Sequence, residues 1–141
     1  MKISNGVKQI LLIEDDPYLI DIYTTKLKES GFSIEVATNG EEGLRKLREK
    51  KFDLLVLDIV LPKIDGWEIL EKIKNQKSKF KTLENLKIIV LSNLGQKEEV
   101  EKGLRSGAEK YLIKAHYTPT EVVEEIKSLL RNTKRYKYPK E

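Results

Sequence analysis

Residues 51–66 read KFDLLVLDIVLPKIDG, an apolar run that ends in a single carboxylate, Asp58, and then breaks at Pro62 and Asp65-Gly66. Leu54, Leu55, Val56 and Leu57 show neither helical spacing nor alternation, which predicts a strand buried on both faces, as in the centre of a parallel sheet. Proline followed by Asp-Gly is turn chemistry. Asp58 is therefore delivered to the loop at the carboxyl end of a central strand, where open α/β sheets bind ligands.

The flanking chain repeats this unit. Gln9 to Ile13 is a short aliphatic run that ends at Glu14-Asp15-Asp16, with Pro17 suited to the first position of a helix. Leu19, Ile20, Tyr23 and Leu27 keep helical spacing up to a stop at Ser30-Gly31, and Phe32, Ile34 and Val36 then alternate as a second strand. Leu44 and Leu47 mark an amphipathic helix over Glu41 to Lys50, ahead of the strand Asp53 to Asp58. Trp67, Ile69, Leu70 and Ile73 predict a third helix that gives way to a polar basic loop, Asn75 to Lys81. Leu86 to Leu91 is a fourth strand ending at Ser92-Asn93, and Gln96 to Ser106 a fourth helix, with Val100 and Leu104 as its core candidates. Lys110 to Ile113 is a fifth strand ending at Lys114. Thr118-Pro119-Thr120-Glu121 is a capping box that opens a last helix carrying Val122, Val123, Ile126, Leu129 and Leu130. Strict alternation predicts an α/β fold, a doubly wound five-stranded parallel sheet with five helices.

The chain of 141 residues fits one domain, expected over residues 1–131 with a basic tail over 132–141. It contains no cysteine, which excludes a disulfide framework and a thiolate zinc site. No apolar stretch is long enough for a signal peptide or a spanning segment, so a cytoplasmic protein without membrane attachment is expected. Lys and Arg total 27 against 23 Asp and Glu, a formal charge of +4, with the excess in Lys72 to Lys87 and in the tail. That balance permits nucleic-acid binding without demanding it, and solvated basic segments are the commoner case.

A doubly wound sheet brings its strand ends to one edge, so Glu14, Asp15, Asp16, Asp58, Ser92 and Lys114 are expected to converge. Carboxylates about 4 Å apart repel by roughly 4 kcal/mol per pair at an effective dielectric near 20. Either a carboxyl stays protonated or a cation binds. Carboxylates with no neighbouring histidine or cysteine suit a hard ion such as Mg2+. Asp58 is then placed to attack a phosphoryl group, with Ser92 donating to a phosphoryl oxygen and Lys114 neutralising another. Taken singly, each residue has a plainer use: Asp15 and Asp16 as helix caps, Lys114 as a solvated lysine, His116 as a loop histidine. Their agreement on one edge favours the site.

LLIEDDP, LLVLDIVLPKIDGWEIL, IIVLSN and SGAEKYLIK, in this order and spacing, resemble the receiver domain of two-component response regulators, with its CheY-like, flavodoxin-like fold. The resemblance runs from Gln9 to about Leu130. It implies Mg2+ or Mn2+ held by Glu14, Asp15, Asp58 and the backbone carbonyl of Val60, with Asp58 as phosphoacceptor. It also implies Ser92 as the switch hydroxyl, Lys114 as the family's lysine and Tyr111 as the aromatic that turns inward. A sensor histidine kinase or phosphotransfer protein is the implied donor. Output is expected from the fourth helix, fifth strand and last helix, toward an unidentified protein or a phosphorylation-dependent homodimer. A stand-alone signalling domain rather than an enzyme is expected.

The sequence departs from the family at three places. Ala115 stands where proline usually follows the lysine. Asn93 stands where a small residue usually follows the hydroxyl, which would slow phosphotransfer. Val60 and Leu94 occupy positions that tune loss of the phosphoryl group, and neither can orient a water, which implies a long-lived adduct. Val60 also argues against an aspartate-nucleophile phosphatase, which usually places a second acid there. The alternative function class is a nucleic-acid-binding adaptor using the basic loop and tail.

Overall fold

The computed structural model describes residues 6–131, so the basic tail lies outside the described residues. Five parallel strands, β1 (Gln9–Ile13), β2 (Ser33–Ala37), β3 (Leu54–Leu57), β4 (Lys87–Ser92) and β5 (Lys110–Ile113), form one sheet in the order β2-β1-β3-β4-β5. The helices α1 (Pro17–Glu29), α2 (Gly40–Glu49), α3 (Gly66–Gln76), α4 (Lys97–Arg105) and α5 (Pro119–Arg131) fill the crossovers. The expected doubly wound architecture is the observed one.

Alternate residues of each central strand feed two cores. Leu11, Ile13, Leu55, Leu57, Ile88 and Val90 meet Leu44, Leu47, Ile69, Leu70 and Ile73 of α2 and α3. Ile10, Leu12, Leu54, Val56, Ile89, Leu91 and Leu112 meet Tyr23 and Leu27 of α1 and Val122, Val123, Ile126 and Leu130 of α5. Every residue of β3 is buried, which is why its run carries no polar alternation. Because β2 and β3 lie on opposite sides of β1, the chain reverses its winding between β1 and β3, and Asp58 leaves β3 at this switch point, where open α/β sheets bind ligands.

Helix ends follow the sequence signals. Asp16, Asn39 and Asp65 each cap a helix by accepting backbone N–H bonds, and Pro17 stands at the first turn of α1. Gly31 and Gly107 turn the chain after α1 and α4 with φ of 93° and 115°, a left-handed conformation that suits glycine. At the start of α5 the Glu121 amide donates to Thr118 Oγ1 at 3.1 Å and the Thr118 amide donates to Glu121 Oε1 at 2.9 Å, a reciprocal box. Thr118→Ala is therefore expected to lower stability by about 1 kcal/mol, seen as a lower urea midpoint at unchanged slope.

Three sequence expectations need correction. Helix α3 continues to Gln76, two residues into the segment expected as a polar loop, and a short helical turn, Lys81–Leu83, starts where that segment ends, with Leu83 buried. The last turn of α3 points its polar residues at solvent, so the apolar pattern fades before the helix does. In α4 the buried residue is Gly103, whereas Leu104 is 45% exposed and Val100 only half-buried. The space that a core side chain of α4 would fill is taken by Tyr111 from β5. Strand β4 runs from Lys87 to Ser92, one residue later at each end than the expected Leu86 to Leu91, so Ser92 is its last residue, and it is fully buried.

Candidate functional site

Strand β1 is followed by Glu14, whose amide donates to the Ala37 carbonyl at 3.1 Å and extends the pairing with β2 by one residue. The Glu14 side chain lies in the interior, where it is 1% exposed. Asp15 is exposed, and Asp16 turns away to cap α1. The three consecutive acids thus have three different environments. Asp58, 7% exposed, follows β3 and accepts from the Ile59 amide at 2.7 Å through Oδ1. Lys114 follows β5 and opens a short helical turn, Lys114–His116, in which Ala115 and His116 are exposed. Its ammonium lies 2.8 Å from Glu14 Oε1 and 3.0 Å from Asp58 Oδ2.

Carboxylate oxygens of Glu14, Asp15 and Asp58 lie within 4.8 Å of one another, the one such group of metal-capable side chains among the described residues. Burial raises the pKa of Glu14, with the charge of Asp58 acting in the same direction, while the Lys114 ammonium opposes both. Burial works against the charge on Lys114, but its bond to Glu14 and the fields of Asp58 and Glu14 outweigh that, and its pKa stands above the usual lysine value. One ammonium thus bonds two of the three acids, and Asp15 adds a third carboxylate without a cation of its own. The donor set is all oxygen and short of positive charge, which fits a hard divalent cation. Val60 lies two residues beyond Asp58 with its side chain 62% exposed at the rim.

Ser92 Oγ accepts from the Leu94 amide at 3.2 Å. Tyr111 is half-buried, and its hydroxyl donates to the Leu94 carbonyl at 2.6 Å. Burial raises the Tyr111 pKa, helped by the charge of Glu99. Ser92 and Tyr111 are therefore both tied to the loop between β4 and α4. Asn93 is exposed at its tip, and Leu94 packs partly into the core.

Two contributors escaped the sequence reading. Tyr23 of α1, expected only as a core residue, feels the charges of Lys114, Glu14 and Asp58, and burial raises its pKa. Its helical spacing gives no sign of that role. Gly66 at the start of α3 lies against the backbone of Asp58 and Ile59, and its amide donates to the Ile59 carbonyl at 2.7 Å. The Asp-Gly pair announces a turn there but not this close approach.

Comparison with known proteins gives a consistent answer. The family model for the response regulator receiver domain matches residues 10–127. The alkaline phosphatase synthesis transcriptional regulatory protein PhoP of Bacillus subtilis is 34% identical over 128 residues, covering 89% of this chain and 50% of the relative. The DNA-binding dual master transcriptional regulator RpaA of Synechocystis is 30% identical over 127 residues, covering 90% of this chain and 51% of the relative. The chain thus spans about half the length of these curated relatives. A CheY-like receiver domain protein of Methanospirillum hungatei superposes with a TM-score of 0.78 at 30% identity, covering 90% of this chain and 96% of that one. No helix among the described residues is long and apolar enough to cross a membrane. With its strand order, its acidic pocket and a family match over most of its length, the chain belongs to the response regulator receiver domains of two-component signal transduction.

Proposed function

We propose that Asp58 accepts a phosphoryl group from a histidine kinase or phosphotransfer protein, and that Ser92, Lys114 and Tyr111 pass the change to the surface of α4, β5 and α5. The observation that carries this reading is the meeting of Glu14, Asp15, Asp58 and Lys114, from three strand ends, in one largely buried pocket. An Asp58 carboxylate oxygen attacks phosphorus, the bond from phosphorus to the donor's imidazole nitrogen breaks, and that nitrogen leaves with the electron pair. Lys114, already 3.0 Å from Asp58, neutralises a phosphoryl oxygen as charge builds on it. Ser92 exchanges its bond with the Leu94 amide for one donated to a phosphoryl oxygen, which pulls on the β4 to α4 loop. Tyr111, bonded to the Leu94 carbonyl, feels that movement directly.

Glu14, Asp15 and Asp58, with the Val60 carbonyl, would hold Mg2+ or Mn2+. When bound there, the ion supplies charge neutralisation between the acids and the incoming phosphoryl oxygens. The output is a protein partner or a second copy of the chain in the cytoplasm, and transcriptional control is the first candidate because the curated relatives are named for it.

The test is incubation with Mg2+ and a small phosphodonor, read by intact mass as a single phosphoryl adduct. Lys114→Met is expected to slow adduct formation by about tenfold to a hundredfold, since a charge-assisted contact contributes about 1.5 to 3 kcal/mol. Lys114→Arg, which keeps the charge, is expected to lose less. Equal rates for wild type and Lys114→Met would remove Lys114 from the chemistry.

A further inference from the structure

Helix α4 carries a glycine, Gly103, two residues before its end, in a sequence otherwise made, apart from Val100, of good helix formers. Glycine at an interior helical position costs about 1 kcal/mol relative to alanine. The backbone does not require it, because Gly103 has no positive φ. The reason lies across the helix: a Cβ at 103 would stand 2.5 Å from Tyr111 Cδ2 and 2.8 Å from Cε2. Those are ring atoms near the middle of the side chain, so they cannot move aside without the whole ring turning. The ring occupies the place of the missing side chain. From there its hydroxyl reaches the Leu94 carbonyl at 2.6 Å, on the loop whose next bond, from the Leu94 amide, is to Ser92 Oγ.

We propose that Gly103 is the positioning residue for Tyr111: its bare backbone is the seat in which the ring lies when the hydroxyl holds the β4 to α4 loop, so any side chain at 103 unseats the ring and releases that loop. The inference rests on the phosphoacceptor reading only for its functional meaning. The seat itself is a matter of packing. It makes the link between Ser92 and α4 depend on a residue that touches neither Asp58 nor Ser92. The residue is therefore a place where the coupling between site and surface can be changed without altering the acidic pocket.

The test uses the full chain in five forms: wild type, Gly103→Ala, Tyr111→Ala, the double variant, and Tyr111→Phe for assignment. With 3-fluorotyrosine incorporated and its resonance at 111 assigned by Tyr111→Phe, Gly103→Ala is expected to move that 19F resonance toward the value of solvent-exposed tyrosine. In urea unfolding, Gly103→Ala is expected to destabilise the wild-type background and to be neutral or stabilising once Tyr111 is alanine. The coupling should amount to roughly a tenfold change in the unfolding equilibrium, within the range seen for side chains in contact. A simple helix effect of glycine would be the same in both backgrounds and would leave the resonance in place. An unmoved resonance, or additive unfolding effects, would overturn the proposal. Adduct formation by the wild-type protein is measured alongside. Its absence would sink the phosphoacceptor reading, and the fluorine and unfolding results would still decide the role of Gly103.

Discussion

Asp58→Asn is expected to abolish the phosphoryl adduct completely, while wild type gains one phosphoryl group and no more. The pocket offers three carboxylates, and their surroundings separate them. Glu14 is 1% exposed and held by Lys114 and the Asp16 amide, so it presents no free approach. Asp15 is exposed, and Lys114 bonds Glu14 and Asp58 rather than Asp15, which leaves it no ammonium to meet phosphoryl charge. Asp58 is the one of the three that is bonded to Lys114 within a low-dielectric setting and still keeps some exposure, 7%, for an incoming donor. Asparagine keeps the shape and can still accept the Ile59 amide, so the fold should survive and circular dichroism should match wild type. Adduct that persists in Asp58→Asn would place the chemistry elsewhere. In the wild type the adduct should decay over minutes rather than seconds at neutral pH. Val60 stands exposed at the rim and Leu94 packs into the core, and neither side chain can hold an attacking water.

The architecture was legible because burial on both faces leaves an unmistakable run. Leu54 to Leu57 has no polar residue to confuse with a helix, and the strand limits of Gln9–Ile13 and Lys110–Ile113 match the expected ones. Convergence of Glu14, Asp58 and Lys114 followed from topology, since parallel strands carry their last residues to one edge. What the sequence did not reveal was the direction of each side chain. Nothing in Glu14-Asp15-Asp16 distinguishes the buried partner of Lys114 from the exposed acid and the helix cap. In the structure Glu14 still pairs through its backbone with Ala37, whereas Asp16 already caps α1. Helix α4 misled for a related reason: its core contact is made by a glycine, which contributes no hydrophobic signal, and by an aromatic ring that belongs to another element. Periodicity detects only what a helix brings to the core. It is blind to what the helix receives.

Gly66→Ala is expected to cost about 3 kcal/mol, the upper part of the range for overpacking a filled interior, and to slow phosphorylation as well. The added Cβ would lie 2.6 Å from the Asp58 carbonyl oxygen and 2.6 Å from Ile59 Cα. Both are backbone atoms, fixed on one side by β3 and on the other by the bond from the Gly66 amide to the Ile59 carbonyl. Relief therefore requires α3 to withdraw or the segment after β3 to shift. The second route moves the Ile59 amide, which holds Asp58 Oδ1 at 2.7 Å, so the loss of stability and the loss of aim share one cause. Gly43→Ala is the control. There the three atoms nearest the added carbon all belong to the Ile13 side chain, its Cδ1 end first, and a side-chain tip gives way more easily than backbone while alanine favours the helix by about 1 kcal/mol. Thermal unfolding should separate the two, with Gly66→Ala lowering Tm by about 10 °C and Gly43→Ala staying within a few degrees of wild type. Equal shifts would mean that the β3 to α3 junction yields more easily than its contacts imply. Asp58 would then owe its orientation to Lys114 and the Ile59 amide without support from the glycine behind them.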